Sequence, residues 1–223
     1  MNLLREYIRG LLIEAGGQMP QIQPESVIYC DMDGVLVDFE TGAVALINSA
    51  LGGEYALGRG ADKALRKLHT ELGEDWRAQV GTDLRIKPAR NFMFAMIAQN
   101  PGDFFGALPP RADGVNQLWP YLNSTGRTVK LLTAPVMGNP AMPTAGEGKE
   151  MWAVENLTPP PQEVILSPAR QKAGFATSGG VPNILVDDRS STIQAWNDAG
   201  GIGILHTPGG SSATIARLQE LGL

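Results

Sequence analysis

Short apolar runs that end in acidic residues are the feature that most limits what this chain can fold into. Ser26–Cys30 runs into Asp31-Met-Asp33, and Asn183–Val186 runs into Asp187-Asp188. Three more short apolar runs, without the acidic ending, are Thr128–Thr133, Glu163–Leu166 and Ile202–Leu205. Runs this short, with little polar alternation, suit strands buried on both faces. Helical stretches lie between them. One is Lys149–Leu157, closed by Pro159–Pro161, and another is Ser191–Ala199. A last helix carries Ile215, Leu218 and Leu221, with Ser211 expected as its cap. Strands alternating with helices imply an α/β fold, a parallel sheet with helices on both faces.

The stretch between the first two strands reads differently. Residues 41–108 look mostly helical, as in Ala61–Val80 and the apolar run Phe92–Ile97, and hold no strong strand. The N-terminus has its own pattern. Leu3, Leu4, Tyr7, Ile8, Leu11 and Leu12 form one apolar stripe at helical spacing over residues 3–15, which Gly16-Gly17 ends. Packing on its own domain, or docking to a partner or a second copy in a homodimer, are the two uses open to that stripe. The expected organisation is an N-terminal helix and linker at 1–20, a core at 21–40 and 109–223, and a helical cap at 41–108.

Composition narrows the function classes. The net charge of −5 argues against an extended nucleic-acid surface, which needs clustered cations. A small phosphorylated ligand needs only a metal and one or two cations, so it stays open. Cys30 is the single cysteine, so no intrachain disulfide forms. No stretch approaches the roughly 18 apolar residues of a membrane span. Arg5, Glu6, Arg9 and Glu14 interrupt the first residues, unlike a signal peptide, and the expected compartment is the cytoplasm.

In a parallel sheet, ligands sit beyond the carboxyl ends of the strands. There the first strand delivers Asp31 and Asp33, the second Thr133, and the fourth Asp187 and Asp188. Carboxylates converging on one edge repel. A hard divalent cation with oxygen ligands relieves that repulsion, and Mg²⁺ is the usual choice beside phosphate.

These residues, in this order, resemble the haloacid dehalogenase (HAD) superfamily. Asp31-Met-Asp-Gly-Val35 is similar to its Asp-x-Asp-x-(Thr/Val) first motif, Leu131-Leu-Thr133 to its second, and Ile184–Asp188 to its acidic fourth. Lys149 suits the third-motif lysine, with Lys172 as its rival. The resemblance spans roughly residues 26–206. It implies a Rossmannoid three-layer sheet in spatial order 5-4-1-2-3, with a small helical cap inserted after the first strand. It also implies a Mg²⁺-dependent phosphomonoester hydrolase working through an aspartyl-phosphate. Asp31 would be the nucleophile and Asp33 the acid and base. Thr133 and the amide of Ala134 would hold the phosphoryl oxygens, and Lys149 would offset their charge. Mg²⁺ would be held by Asp31, the carbonyl of Asp33, Asp187 and, through water, Asp188.

Finer features resemble the 5′(3′)-deoxyribonucleotidase branch. They are Asp103-Phe-Phe105, Leu108-Pro-Pro110, Lys149 with Trp152–Glu155, and Arg170-Gln-Lys172. That likeness implies a nucleoside monophosphate as substrate, with Arg170 and Lys172 on its phosphate or sugar and Phe39 and Phe105 packing against it. The alternatives are a sugar phosphate, a nucleic-acid 3′ end, or a non-catalytic binding protein that kept the fold. The N-terminal stripe favours the last, and the intact Asp31 and Asp33 oppose it. That segment also resembles leaders of bacteriophage-encoded proteins.

Other motifs carry less. Gly146-Glu-Gly-Lys149 looks like a phosphate loop but has Pro143 where glycine is required and Glu150 where Ser or Thr should be. His69 and His206 lack ligand spacing. Cys30 and the tryptophans at 76, 119, 152 and 196 read as core.

Overall fold

The computed structural model describes residues 21–53, 56–73, 87–136 and 143–223. The N-terminal helix expected at 3–15, Trp76 and the end of the helix expected at Ala61–Val80 lie outside the described residues.

Five parallel strands form the sheet: β1 (Ile28–Cys30), β2 (Val129–Thr133), β3 (Val164–Leu166), β6 (Ile184–Asp187) and β7 (Ile202–Leu205). Their spatial order is β3-β2-β1-β6-β7. Counted without the small hairpin β4 (Thr177–Ser178) and β5 (Val181–Pro182), this is the expected 5-4-1-2-3. Successive side chains of a strand point to opposite faces. Ile28, Cys30, Val129, Leu131, Ile184 and Val186 therefore join one apolar cluster, and Tyr29, Leu132 and Leu185 join another on the far face. Burial on both faces explains why these strands read as unbroken apolar runs.

Helices α1 (Phe39–Leu51), α2 (Arg59–Leu72), α3 (Lys87–Ile97) and α4 (Pro101–Gly106) follow β1. Asp38 caps α1 by accepting from the Thr41 amide. α3 packs on α1 and α2, whereas α4 packs on α6 (Ala145–Asn156), the helix after β2. The chain enters and leaves this helical insertion through a narrow strap. The Asp38 amide donates to Pro109 O (2.8 Å), the Arg111 amide donates to Leu36 O (2.8 Å), and Val37 bridges Pro110 antiparallel. A π-helical turn, Gly114–Leu118, then runs into α5 (Trp119–Ser124). After β3 come a 3₁₀ segment, Ala169–Phe175, then β6, α7 (Ser190–Asp198), β7 and α8 (Ser211–Glu220).

Two helix starts differ from expectation. α6 opens at Ala145, not Lys149. Thr144 and Glu147 form a capping box, with Thr144 Oγ1 accepting from the Glu147 amide and Glu147 Oε2 from the Thr144 amide. Lys149 therefore sits in the second turn. In α8 the N-cap is Gly210, and Ser211 is the first helical residue. Its amide (3.1 Å) and hydroxyl (2.7 Å) both donate to Asp113 Oδ2, so the capping carboxylate comes from a distant segment. Trp119, Trp152 and Trp196 are buried, and so is Cys30, with burial pushing its thiol far up from the usual range.

Gly148 explains the glycine-rich stretch that looks like a phosphate loop. A Cβ there would overlap the carbonyl of Gly102, which is backbone and cannot swing away. The stretch is helix, and its glycine lets α4 lie against α6. Gly148→Ala is expected to destabilise the protein by about 1–3 kcal/mol, the usual cost of overpacking, read as a lower denaturation midpoint. A second prediction concerns Asp113. Burial pushes its carboxyl up, but the Ser211 hydroxyl, with the Ser211 amide and further amides, outweighs this and holds it below the usual range. A carboxyl depressed on folding adds stability above its unfolded value, and that stability is lost as pH falls through the folded one. Ser211→Ala should be less stable than the parent at neutral pH, with the gap closing below about pH 4. Denaturation across pH measures it.

Candidate active site

Asp31 follows β1 at once, and its amide donates to Val186 O (2.9 Å), which ties it to β6. The chain then turns sharply. The amides of Val35, Leu36 and Val37 all converge on the carbonyl of Met32, and Gly34 takes φ +82°. That φ favours glycine, and a Cβ at Gly34 would also overlap the carboxylate of Asp188. The Asp-Gly pair thus makes the turn and also leaves room for the acidic pair of the neighbouring strand.

Four carboxylates and two lysines meet at this edge. Lys172 Nζ lies 3.0 Å from Asp31 Oδ2 and 2.7 Å from Asp187 Oδ2, and the lysine and both carboxylates are buried. Lys149 Nζ lies 2.7 Å from Asp33 Oδ2 and 2.6 Å from Thr133 Oγ1, and is fully buried. Each ammonium takes a different pair of oxygen partners. Lys172 therefore occupies the bridge between nucleophile candidate and acidic pair, and Lys149 bridges Asp33 and Thr133. The second oxygens of Asp31 and Asp187 are held by backbone. Asp31 Oδ1 accepts from the Met32 amide (2.8 Å), and Asp187 Oδ1 from the Arg189 amide (2.9 Å). Asp33 Oδ1 is buried and has no partner among the described residues.

The electrostatics follow from this packing. Burial lowers the tendency of Lys172 to hold its proton, but Asp31 and Asp187 outweigh that and keep it above its usual value. Burial pushes Asp33 up, opposed by Lys149 and helped by Asp31. Burial and then Asp31 push Asp187 up against Lys172. Asp188 is pushed up to about 6, by burial first and then by Asp31 and Asp187. Carboxylate oxygens of Asp31, Asp187 and Asp188 all lie within 4.8 Å of one another. Lys172 touches only the first two, and at Asp188 the pull of Arg189 and Lys172 does not offset burial and the two neighbouring carboxylates. A hard oxygen-liganded dication fits this donor set and its excess of negative charge.

These groups open into a cleft of about 570 Å³, within the size range of small-molecule sites. Asp31, Asp33, Ala134, Lys172 and Asp188 line its floor. Phe39 lines the wall together with Met93 and Phe94 of α3, residues that the sequence reading did not single out. Arg90, Arg111 and Arg189 also line it and were likewise missed. Phe105, expected with Phe39 to pack against the substrate, also lines the cleft; its side chain is almost wholly buried, with its ring 4.5 Å from Lys149 Nζ and edge-on to Phe104 (5.1 Å, 80°), so it also backs the lysine. Arg170 is exposed and is not among the residues lining the cleft. Eight of the residues singled out beforehand, Asp31, Asp33, Thr133, Ala134, Lys149, Lys172, Asp187 and Asp188, thus converge at one sheet edge.

No protein-family model matches the chain, and no curated protein matches it in sequence. Among solved structures, it is similar to a haloacid dehalogenase-like family hydrolase from Xanthomonas campestris (13% identity, 92% of this chain and 97% of that one, TM-score 0.49). It is also similar to a hydrolase from Streptococcus pneumoniae (14%, 90% and 100%, TM-score 0.45). A third is a HAD-superfamily hydrolase of subfamily IA from Geobacter sulfurreducens (13%, 83% and 88%, TM-score 0.46). No helix among the described residues is long and apolar enough to cross a membrane.

Gly34→Ala tests the link between turn and acidic pair. The methyl group forces either the turn or the Asp188 carboxylate to move. Mg²⁺ affinity, measured by calorimetry, is expected to fall about tenfold or more, in the range seen when groups around a metal site are disturbed. Unchanged affinity would mean that the packing of this turn on Asp188 does not set metal binding.

Proposed function

We propose that the chain is a Mg²⁺-dependent phosphomonoester hydrolase of the HAD type, acting on a small phosphorylated substrate. The observation that carries this reading is the division of labour between Asp31 and Asp33. They are two residues apart on one turn, yet each is paired with its own buried lysine. Asp31 is held through both oxygens at the cleft floor, and Asp33 keeps one buried oxygen without a partner.

The chemistry that suits this arrangement has two steps. A carboxylate oxygen of Asp31 attacks phosphorus, and the bond to the leaving oxygen breaks as Asp33 gives that oxygen a proton. Burial raises the Asp33 carboxyl against the pull of Lys149, which favours a role in carrying that proton. Water then attacks the aspartyl-phosphate. Asp33 takes its proton, the bond from phosphorus to Asp31 breaks, and inorganic phosphate leaves. Lys172 keeps Asp31 oriented between strands. Lys149 and Thr133 flank Asp33, and the amide of Ala134 lies at the end of β2, where phosphoryl oxygens need donors. Asp31, Asp187 and Asp188, with the Asp33 carbonyl, would hold Mg²⁺, which supplies charge neutralisation for the phosphoryl group.

The cleft's size and its apolar side, Phe39, Met93 and Phe94, suit a leaving group with a flat or apolar part. A nucleoside phosphate meets that description, and the deoxyribonucleotidase-like features of the sequence support it. The helices over residues 41–108 would act as the cap that excludes water.

Phosphate release from nucleoside, deoxynucleoside and sugar monophosphates is the test, with Mg²⁺, with chelator, and with Asp31→Asn. Turnover is expected to need the metal and to fall by about 10³-fold or more in Asp31→Asn, on the scale seen when a nucleophile is removed. Lack of release from every ester by folded, metal-loaded protein would overturn the hydrolase reading.

A further inference from the structure

The outer cleft holds cations that the chemistry above does not use. Arg111 comes from the strap, Arg90 from α3 and Arg189 from the turn after β6, and all three line the same cavity. Arg111 is held in place: its amide donates to Leu36 O and its Nη2 to Asp38 Oδ1 (3.1 Å), with a side chain only 20% exposed. Its Nε–H is nevertheless buried without an acceptor among the described residues. Arg111 lines the cavity, and a guanidinium held in place there by Asp38 is suited to an oxygen brought by a ligand. Arg90 and Arg189 are exposed, and neither forms an ion pair among the described residues. Glu40 is the acidic residue beside them at the cleft wall.

Arg90 and Arg111 are surplus to the floor, and Arg189 acts on it as a charge that lowers the Asp188 carboxyl without an ion pair. Lys149 and Lys172 already pair with Asp33, Asp31 and Asp187, and a dication would answer the rest. Guanidinium groups match carboxylate and phosphate oxygens in a fork that a lysine cannot reproduce. Arg90 also shares a helix face with Met93 and Phe94, at spacings of three and four residues. The outer cleft therefore offers an apolar surface with cations around it.

We propose that the substrate's leaving group carries a second anionic group, a carboxylate or a second phosphate, which Arg111 receives together with Arg90 and Arg189. This rests on the hydrolase reading and narrows it. A nucleoside monophosphate, with no second anion, becomes the weaker member of its pair.

The experiment compares matched esters. One pair is glycerol 3-phosphate against 3-phosphoglycerate. The other is adenosine 5′-monophosphate against adenosine 3′,5′-bisphosphate. In at least one pair, kcat/KM is expected to be about tenfold or more higher for the member with the second anion. Arg90→Gln, Arg189→Gln and the charge-conserving Arg111→Lys should each shrink that ratio several-fold, mainly through KM. Ratios near unity in both pairs, or ratios that ignore all three substitutions, would overturn the proposal while leaving the hydrolase reading intact. Calorimetric binding of the same pairs to Asp31→Asn protein separates the two claims. A preference for the second anion that depends on the arginines supports the inference even if no ester turns over. Equal binding of both members, with no turnover, sinks both.

Discussion

Lys172 is the interaction on which the rest of this edge depends. Asp31 and Asp187 end adjacent strands of a parallel sheet, and both are buried. Left alone, they would repel in a medium that screens poorly. One ammonium between them, at 3.0 and 2.7 Å, lets two neighbouring strands end in carboxylates side by side. Buried ion pairs of this kind add little net stability, but removing one partner strands a charge and costs about 3–5 kcal/mol. The pair of strands and the 3₁₀ segment that carries Lys172 are thus bound to each other's presence. The same logic leaves Asp188, one residue on, without a direct lysine partner, and its carboxylate lies close enough to those of Asp31 and Asp187 for the three to hold a cation.

Lys149 is a separate solution on the other side of β1. It arrives from the second turn of α6, and its depth follows from how closely that helix can lie against α4. Gly148 allows the backbones to meet, the Thr144–Glu147 capping box sets where the helix begins, and Phe105 closes over the ammonium. Trp152, one turn on, donates its indole N–H to Leu108 O (2.7 Å), which ties the same helix to the strap. A motif that looks like phosphate-binding chemistry is, in the fold, packing that delivers one charged group to Asp33.

What the sequence made legible was what periodicity and strand order encode. The five core strands were readable because burial on both faces leaves unbroken apolar runs, and Asp31, Asp33, Thr133, Asp187 and Asp188 because strand ends collect ligands. Lys172 was weighed only as a rival to Lys149, since spacing along the chain does not say which carboxylate a lysine reaches. Ser211 was taken for a cap because serine is a common one. Its partner, Asp113, lies 98 residues away, and nothing local announces it. Arg90 and Arg111 were invisible for the same reason: a lone arginine on a helix or a connection reads as solvated surface until the fold turns it into a cleft. The capping box Thr144–Glu147 was visible and was missed. It is the one signal whose use would have placed Lys149 correctly.

The strap gives the arginines a consequence beyond affinity. Arg111 and Asp38 face each other across the two connections that join the helical insertion to the sheet, and both connections are hydrogen-bonded to one another. Arg111 is thereby fixed to the strap, Arg189 to the sheet edge and Arg90 to the inserted helices. A ligand group that engages all three gains contacts only when helices and sheet are close enough together. Such a ligand would favour whatever arrangement brings helices and sheet together, by its differential contacts. Closure also removes water from around Asp31 and Asp33, where every charge interaction then strengthens. Recognition at the outer cleft and protection of the aspartyl-phosphate would then be one event, driven by parts of the substrate that never react.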